Sequence, residues 1–451
     1  MIGKTQLHRL GLFDAKVPRY TSYPTAPHFN TEIGPDRFAS WIRAVPVGGE
    51  VSLYIHVPFC RRLCWFCACR TQGTQSRDPV AAYLEVLKAE LRLLAQHLPQ
   101  GVRLSRLHWG GGTPTLLEPA MMEELAGAIA EVASFAPGYE FSVEIDPNEI
   151  DADRLAVLAR AGMNRASIGV QDFDPEIQAC IGREQGYEAT RDAVLAIRAA
   201  GVHSLNADIL YGLPHQTGAK ITDSVQKLLS LSPDRVALYG YAHVPWMARR
   251  QTMLPSDALP TPTERLDLFN TARQLFDWDG YDEIGIDHFA LPTDGLSWAQ
   301  KSGRLRRNFQ GYTDDQAEVL IGIGASSISR FPQGYAQNAP ATSAHIAAIR
   351  DGRFSTARGH AFDGEDRLRA RIIEALMCDF RVNSAELIAD FGQDAQVLRG
   401  LFDQVNADFE GLLRVDGTGL EIPEPARPLT RMIAQAFDTY DGALARHSSA
   451  I

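Results

Sequence analysis

The sequence predicts an α/β fold built on a parallel sheet, with function gathered along one edge of that sheet. Three observations predict it. Six β-rich runs alternate with helical patterns between residues 51 and 241. Several of these runs are near-continuous in apolar residues, as buried parallel strands tend to be. Polar or glycine residues also recur at the end of one run after another, the edge where such folds bind ligands.

Residues 1–50 are irregular and proline-rich around Pro18-Arg19-Tyr20-Thr21-Ser22-Tyr23-Pro24-Thr25. They read as an extension laid over the main domain, a lid. The candidate strands are 51–57, 106–109, 140–145, 165–170, 204–210 and 235–241. Between the first two, Leu84, Leu87, Leu91, Leu94 and Leu98 recur at three- and four-residue steps, the mark of one apolar helix face. Weaker helical patterns cover 121–132, 153–161 and 190–200. Two of them run into Gly162 and Gly201, where glycine suits a left-handed C-cap. The alternation implies right-handed crossovers but leaves an open sheet and a full or partial barrel both open.

Beyond about residue 290 the alternation stops. Residues 291–364 read as core-closing and substrate-side loops, with 304–313 as a functional loop. Residues 365–451 read as a smaller, mainly helical domain, and 412–422 as a hairpin with Asp416-Gly417 as its turn signal. The expected division is therefore 1–50, 51–290, 291–364 and 365–451. Helices followed by a hairpin are winged-helix-like, a shape that also occurs in DNA-binding domains, although fold does not imply function.

The bulk numbers narrow the classes. The chain has 451 residues, 45% hydrophobic and 22% charged, with a formal net charge of −11. That charge speaks against a nucleic-acid partner. The N-terminus carries no apolar signal region, and no apolar run is long enough for membrane insertion. The expected compartment is the cytoplasm, where clustered cysteines bind metal or do redox chemistry rather than form disulfides. Cys180 and Cys378 stand alone and read as small buried apolar residues.

The other four cysteines, Cys60, Cys64, Cys67 and Cys69, fall within ten residues. Cys60, Cys64 and Cys67 can converge on one centre from a single loop. An iron–sulfur cluster is held by thiolates, usually four for a 4Fe–4S unit. Three from one loop leave one iron open to an external molecule. Structural zinc takes four protein ligands, often from two distant pairs. No second pair exists here, and Cys69 is awkward as a fourth ligand. A redox dithiol is the remaining alternative. At the same edge, Gly110-Gly111-Gly112-Thr113-Pro114-Thr115 follows strand two, and Glu144 and Asp146 end strand three. Gln171 and Asp172 end strand four, Asp208 lies near the end of strand five, and His243 follows strand six.

The spacing Cys-x3-Cys-x-Phe66-Cys resembles the signature of radical S-adenosylmethionine (SAM) enzymes, and the Gly-Gly-Gly-Thr-Pro run resembles their glycine-rich segment. The resemblance narrows to the oxygen-independent coproporphyrinogen III oxidase family. It rests on 18–25, Cys69, 108–115, 169–173, 183–185, 208–214, 241–243, 287–290, 308–313 and 335–338, and it runs from about residue 16 to the C-terminus. It implies a partial (β/α)6 barrel with an N-terminal extension and a helical C-terminal domain. It implies oxidative decarboxylation of two propionates of coproporphyrinogen III to the vinyls of protoporphyrinogen IX, in haem biosynthesis. The radical from reductive SAM cleavage would remove a hydrogen from the propionate β-carbon.

Residue by residue, the resemblance implies that Cys60, Cys64 and Cys67 bind the 4Fe–4S cluster, with Cys69 an accessory and not a ligand. It implies that Tyr54, Gly111, Glu144 and Ile328 contact the cluster-bound SAM. Phe66, Gly112, Thr113, Gln171, Arg183, Asp208 and Ala242 would line a second SAM position. An electron donor such as flavodoxin or ferredoxin, an acceptor of unstated identity and a monomeric state are expected. The substrate is a tetracarboxylate, so Arg19, Arg183 and the group Arg304, Arg306 and Arg307 are candidates for its recognition. Relatives that bind haem as chaperones tend to lack Cys69 and the 18–25 segment, which this chain has.

Overall fold

Strands β1 (Glu50–Val57), β2 (Arg103–Gly111), β3 (Ser134–Ile145), β4 (Arg165–Gln171), β5 (Ser204–Tyr211) and β6 (Arg235–Gly240) pair side by side, all parallel, in the order of the sequence. The order never reverses. Successive right-handed crossovers therefore put their helices on one face, and the sheet curls as a barrel does instead of winding doubly. That resolves the choice the sequence left open. The computed structural model describes residues 3–440 and 447–451. The chain divides into two units, one of Phe29–Leu259 with Asp315–Ala361, the other of Met1–His28, Pro260–Asp314 and Phe362–Ile451.

The barrel lies in the first unit. On the free side of β1 it continues with β7 (Leu320–Ile323), which is parallel to β1. Then come β8 (Ile328–Phe331), β9 (Gly334–Asn338) and β10 (Thr356–Ala361), each antiparallel to the one before. The sequence reading stopped short of these strands. They are brief, and the first three are joined by turns, so no strand–helix alternation marks them.

Within β1–β5 the apolar pattern alternates more strictly than the sequence suggested, whereas Val236, Ala237 and Leu238 of β6 are buried in a row. Leu53, Ile55, Leu107, Trp109, Phe141, Val143, Ala166, Ile168, Leu205 and Ala207 are buried. The intervening residues are polar or glycine and include the cavity-lining Glu144, Ser167, Gly169 and Asp208. A barrel with polar interior positions can hold a polar ligand, and its apolar outer face drives folding against the helices.

The helix Asp78–His97 supplies part of that cover. Its Leu84, Leu87, Leu91 and Leu94 are each no more than 2% exposed, and each such burial is worth about 1.5–3 kcal/mol. Leu98 falls just past its end. The same helix buries Glu90, whose carboxylate accepts the Gly324 N–H and the Asn338 Nδ2, both at 2.8 Å. That fastens the turn after β7 to the helix. Gly162 and Gly201 close their helices with φ of 95° and 88°.

The second unit carries helices Gly364–Asp379, Ser384–Phe391 and Ala395–Asp408 beside a small antiparallel sheet of 381–383, 419–421 and 414–416. Asp416 accepts the Thr418 N–H at 2.7 Å, so the hairpin turns on Gly417-Thr418. Leu7, Leu12, Phe13, Val17, Tyr20 and Tyr23 sit in the same buried cluster as Ile372, Leu376, Phe402 and Phe437. The N-terminal segment is thus part of this unit's core. No helix among the described residues is long and apolar enough to cross a membrane.

Candidate active site

The C-terminal ends of β1–β6 open into one cavity of about 280 Å³. Cys60, Cys64, Cys67 and Cys69 line it together with Phe66, Gly111, Gly112, Thr113, Glu144, Gln171, Arg183 and Asp208. Three of the residues expected to contact SAM do not line it. Tyr54 lies one layer down on β1, its ring stacked on His108 at 5.7 Å. Ala242 accepts a hydrogen bond from Gln251 at its carbonyl, and Ile328 pairs with Gln337 in the β8–β9 ladder.

The glycine run is a close-approach device. A Cβ on Gly111 would stand 2.5 Å from the His56 ring, and one on Gly112 would stand 2.5 Å from the Phe59 carbonyl oxygen. Gly111 also has a φ of 112°, which side-chain-bearing residues rarely adopt. With no side chains in the way, the backbone passes directly under the cysteine loop. The Gly112 N–H donates to Val57 and the Thr113 N–H to Phe59.

Glu144 anchors the other side of that run. Its Oε2 accepts the Gly111 N–H at 2.9 Å and its Oε1 accepts His108 Nε2 at 3.1 Å. Burial pushes its pKa up, but the His108 hydrogen bond and charge and the Gly111 N–H outweigh it and hold the carboxyl below its ordinary range. His56, kept neutral by burial, donates from Nε2 to the Arg70 carbonyl, which leaves Nδ1 to accept the Tyr54 hydroxyl.

Arg183 spans the opposite wall. Its Nη2 donates to the Gly169 carbonyl and to Gln185, both at 3.0 Å. Its Nη1 faces Asp146 at 3.4 Å and Cys64 Sγ at 3.6 Å. Gln171 reaches the cavity because β4 bulges there. Its φ is 69°, and the register against β5 shifts between Gly169 and Gln171. Asp208 accepts Asn206 Nδ2 at 2.8 Å, and burial lifts its pKa to about 6. Asp172, its neighbour in sequence pattern, is fully buried instead and binds Ser224 and Gln216. His243 lies outside the cavity lining and contacts Tyr241 and Ser256.

The thiols differ among themselves. Burial pushes Cys60 up to about 11 and raises Cys64, the latter opposed by Arg183. Cys67 is held below the usual thiol range, first by a hydrogen bond from Cys69. Among the described residues, no three His, Cys, Asp or Glu side chains are gathered to hold a single ion. A cluster whose irons each take one thiolate spreads its ligands around a larger body. Three thiols lining one cavity, with Arg183 and Arg250 near to offset negative charge, fit the cluster.

Sequence reasoning missed Arg250, Thr71, Ser167, Leu210 and Tyr239, which also line the cavity. Arg250 donates to the Cys69 carbonyl and to Thr71, both at 3.0 Å. It lies in a short 3-10 helix, Arg249–Met253, too brief to leave a periodic signal in the sequence. Of the carboxylate-recognition candidates, Arg307 is buried, pairs with Asp287 at 3.7 Å and stacks over Tyr312 at 4.5 Å. Arg304 is exposed, and Arg19 and Arg306 are partly buried.

This barrel and site define a radical SAM enzyme, and the sequence model of the Radical SAM superfamily matches residues 54–228. Membership implies a 4Fe–4S cluster and SAM as cofactors. The chain is 67% identical over 448 residues to an oxygen-independent coproporphyrinogen III oxidase of Paracoccus denitrificans, covering 99% of each. It is 37% identical over 431 residues to the Escherichia coli enzyme of that name, covering 94% of this chain and 93% of that one. The solved structure of coproporphyrinogen III oxidase from Escherichia coli, a radical SAM enzyme, superposes with a TM-score of 0.90 at 35% identity, over 95% of this chain and 100% of that one. The chain belongs to the oxygen-independent coproporphyrinogen III oxidase family.

Proposed function

We propose that this enzyme converts two propionate side chains of coproporphyrinogen III to vinyls, giving protoporphyrinogen IX. Cys60, Cys64 and Cys67 would hold the 4Fe–4S cluster, leaving one iron free to take SAM. The observation that carries the reading is that those three thiols line one cavity with the Gly111–Glu144 pair. When bound, cluster and SAM supply the radical that takes a hydrogen atom from the propionate; carbon dioxide leaves and one electron passes to an acceptor.

The chain's own groups bind and orient. Glu144 accepts two hydrogen bonds already, yet a carboxylate offers about four acceptor sites, so it can also receive an ammonium group such as that of SAM. Gly111 leaves room beside it; the family resemblance adds Tyr54 and Ile328, which stand outside the cavity lining. Phe66, Gly112, Thr113, Gln171, Arg183 and Asp208, which share the cavity, would form the second SAM position, to which the family resemblance adds Ala242 from outside its lining. There Asp208 would accept hydroxyl or ammonium donors, and Arg183 would meet a carboxylate.

The test is anaerobic reconstitution with dithionite, SAM and coproporphyrinogen III. The expected products are 5′-deoxyadenosine, carbon dioxide and the divinyl porphyrinogen. SAM cleavage without decarboxylation would sink the substrate assignment.

A further inference from the structure

The loop after β6 carries three large apolar side chains into solvent: Trp246 is 46% exposed, Met247 69% and Met253 60%. Soluble surfaces rarely cluster such residues without a partner, and Trp, Met and Arg are the types enriched where proteins dock. The loop is fastened to the cysteine loop. Gln251 donates to the Phe66 carbonyl at 2.8 Å, and Arg250 donates to the Cys69 carbonyl and Thr71 Oγ1 at 3.0 Å. Gln251 also holds its own loop closed by accepting the Val244 N–H.

The charge on this face opposes that of the whole chain. Arg70 stands exposed just after the cysteine run, and Arg249 stands exposed beside the apolar residues. Neither pairs with a carboxylate among the described residues. An unpaired basic patch on a protein of net charge −11 selects an acidic partner. Electron transfer falls off steeply with distance, so the residues flanking Cys67 and Cys69 are where a donor must come. Redox encounters also use small interfaces, below about 1,200 Å².

We propose that this face, Trp246, Met247 and Met253 with Arg70 and Arg249, docks the small acidic electron-carrier protein that reduces the enzyme. The inference rests on the proposed radical SAM reaction, which needs one electron per SAM cleaved. That electron leaves the carrier for the bound cluster, and docking makes or breaks no bond.

The experiment uses the cluster-loaded enzyme with SAM and coproporphyrinogen III, driven in parallel by dithionite and by flavodoxin hydroquinone. In the double variant Arg70→Glu, Arg249→Glu, the KM for flavodoxin should rise about ten-fold or more at low salt while the dithionite rate stays within about two-fold. Raising ionic strength from about 50 to about 300 mM should weaken flavodoxin use by the native enzyme and narrow the gap. Met247→Ser should raise the same KM without salt dependence. Iron content and visible absorbance check loading; if the double variant loses iron, Arg249→Gln is read the same way. An unchanged flavodoxin KM, an equal loss with dithionite, or native turnover with dithionite but not with flavodoxin would overturn the docking face. No native turnover even with dithionite would instead overturn the proposed reaction.

Discussion

Glu144 accepts the backbone N–H of Gly111 at 2.9 Å, joining the end of β3 to the glycine run that leaves β2. One carboxylate thus fixes the strand-end backbone and keeps lone pairs turned to the cavity. Glu144→Gln preserves one acceptor and removes the charge. A charge-assisted contact is worth about 1.5–3 kcal/mol, so SAM affinity of the cluster-loaded enzyme should fall about 10- to 150-fold. Equilibrium SAM binding measures it, and an unchanged affinity would remove Glu144 from the SAM site. Glu144→Ala also strands the Gly111 N–H, which should cost a further ~1–3 kcal/mol of unfolding stability.

The two glycines Gly112 and Gly127 predict opposite outcomes. A methyl on Gly112 meets the Phe59 carbonyl at 2.5 Å, main chain that leads straight into Cys60. Gly112→Ala should therefore lower both cluster loading and melting temperature. Gly127 lies inside the helix Pro119–Val132 with nothing within 4 Å of its would-be Cβ. Gly127→Ala should stabilise the protein by about 0.5–1 kcal/mol and leave iron content unchanged. Equal effects from both substitutions would mean the close approach at Gly112 is unimportant.

The cysteines separate by iron content. Cys60→Ala, Cys64→Ala and Cys67→Ala should each abolish brown colour and most bound iron after anaerobic reconstitution, because a cluster needs each thiolate. Cys69→Ala should keep its iron, since Cys69 serves Cys67 by hydrogen bonding from its thiol and from its N–H at 3.4 Å. Iron loss in Cys69→Ala as deep as in Cys67→Ala would make Cys69 a ligand.

Much of the barrel was legible in the sequence because each of β1–β6 is followed by its own helix. The site was legible for the same reason: one barrel edge gathers strand-end residues that lie far apart in the chain. Gln171 was seen by position alone, and its aim depends on a bulge no pattern records. Asp172, one residue on, was indistinguishable from it in sequence and turned away to Ser224 and Gln216. Arg250 and the strands β7–β10 went unread because their placement comes from long-range contacts. The discontinuity of the two units has the same origin, as when Phe13 packs in a cluster with Phe437.

The barrel floor gives a pH-dependent prediction. Glu140 meets Arg165 at 2.9 Å and Arg235 at 3.8 Å, with both arginine side chains no more than 15% exposed. Burial would raise the Glu140 pKa, but Arg165, Arg235 and Arg106 overcome it and bring it from 4.5 to about 2. Its pKa is lower folded than unfolded, so its stabilisation is complete above the unfolded value of 4.5 and fades as pH falls through about 2. A depression of that size is worth roughly 3 kcal/mol at neutral pH. Glu140→Gln should therefore destabilise the protein strongly at pH 7, the more so because it leaves buried arginines uncompensated. The gap between native and variant should narrow as pH is lowered from about 5 toward about 3, because the unfolded chain's carboxylate takes up its proton there while the native one stays ionised. Unfolding of both proteins across that range measures it. A gap that stays constant would mean that shape, and not charge, holds Glu140 in the barrel floor.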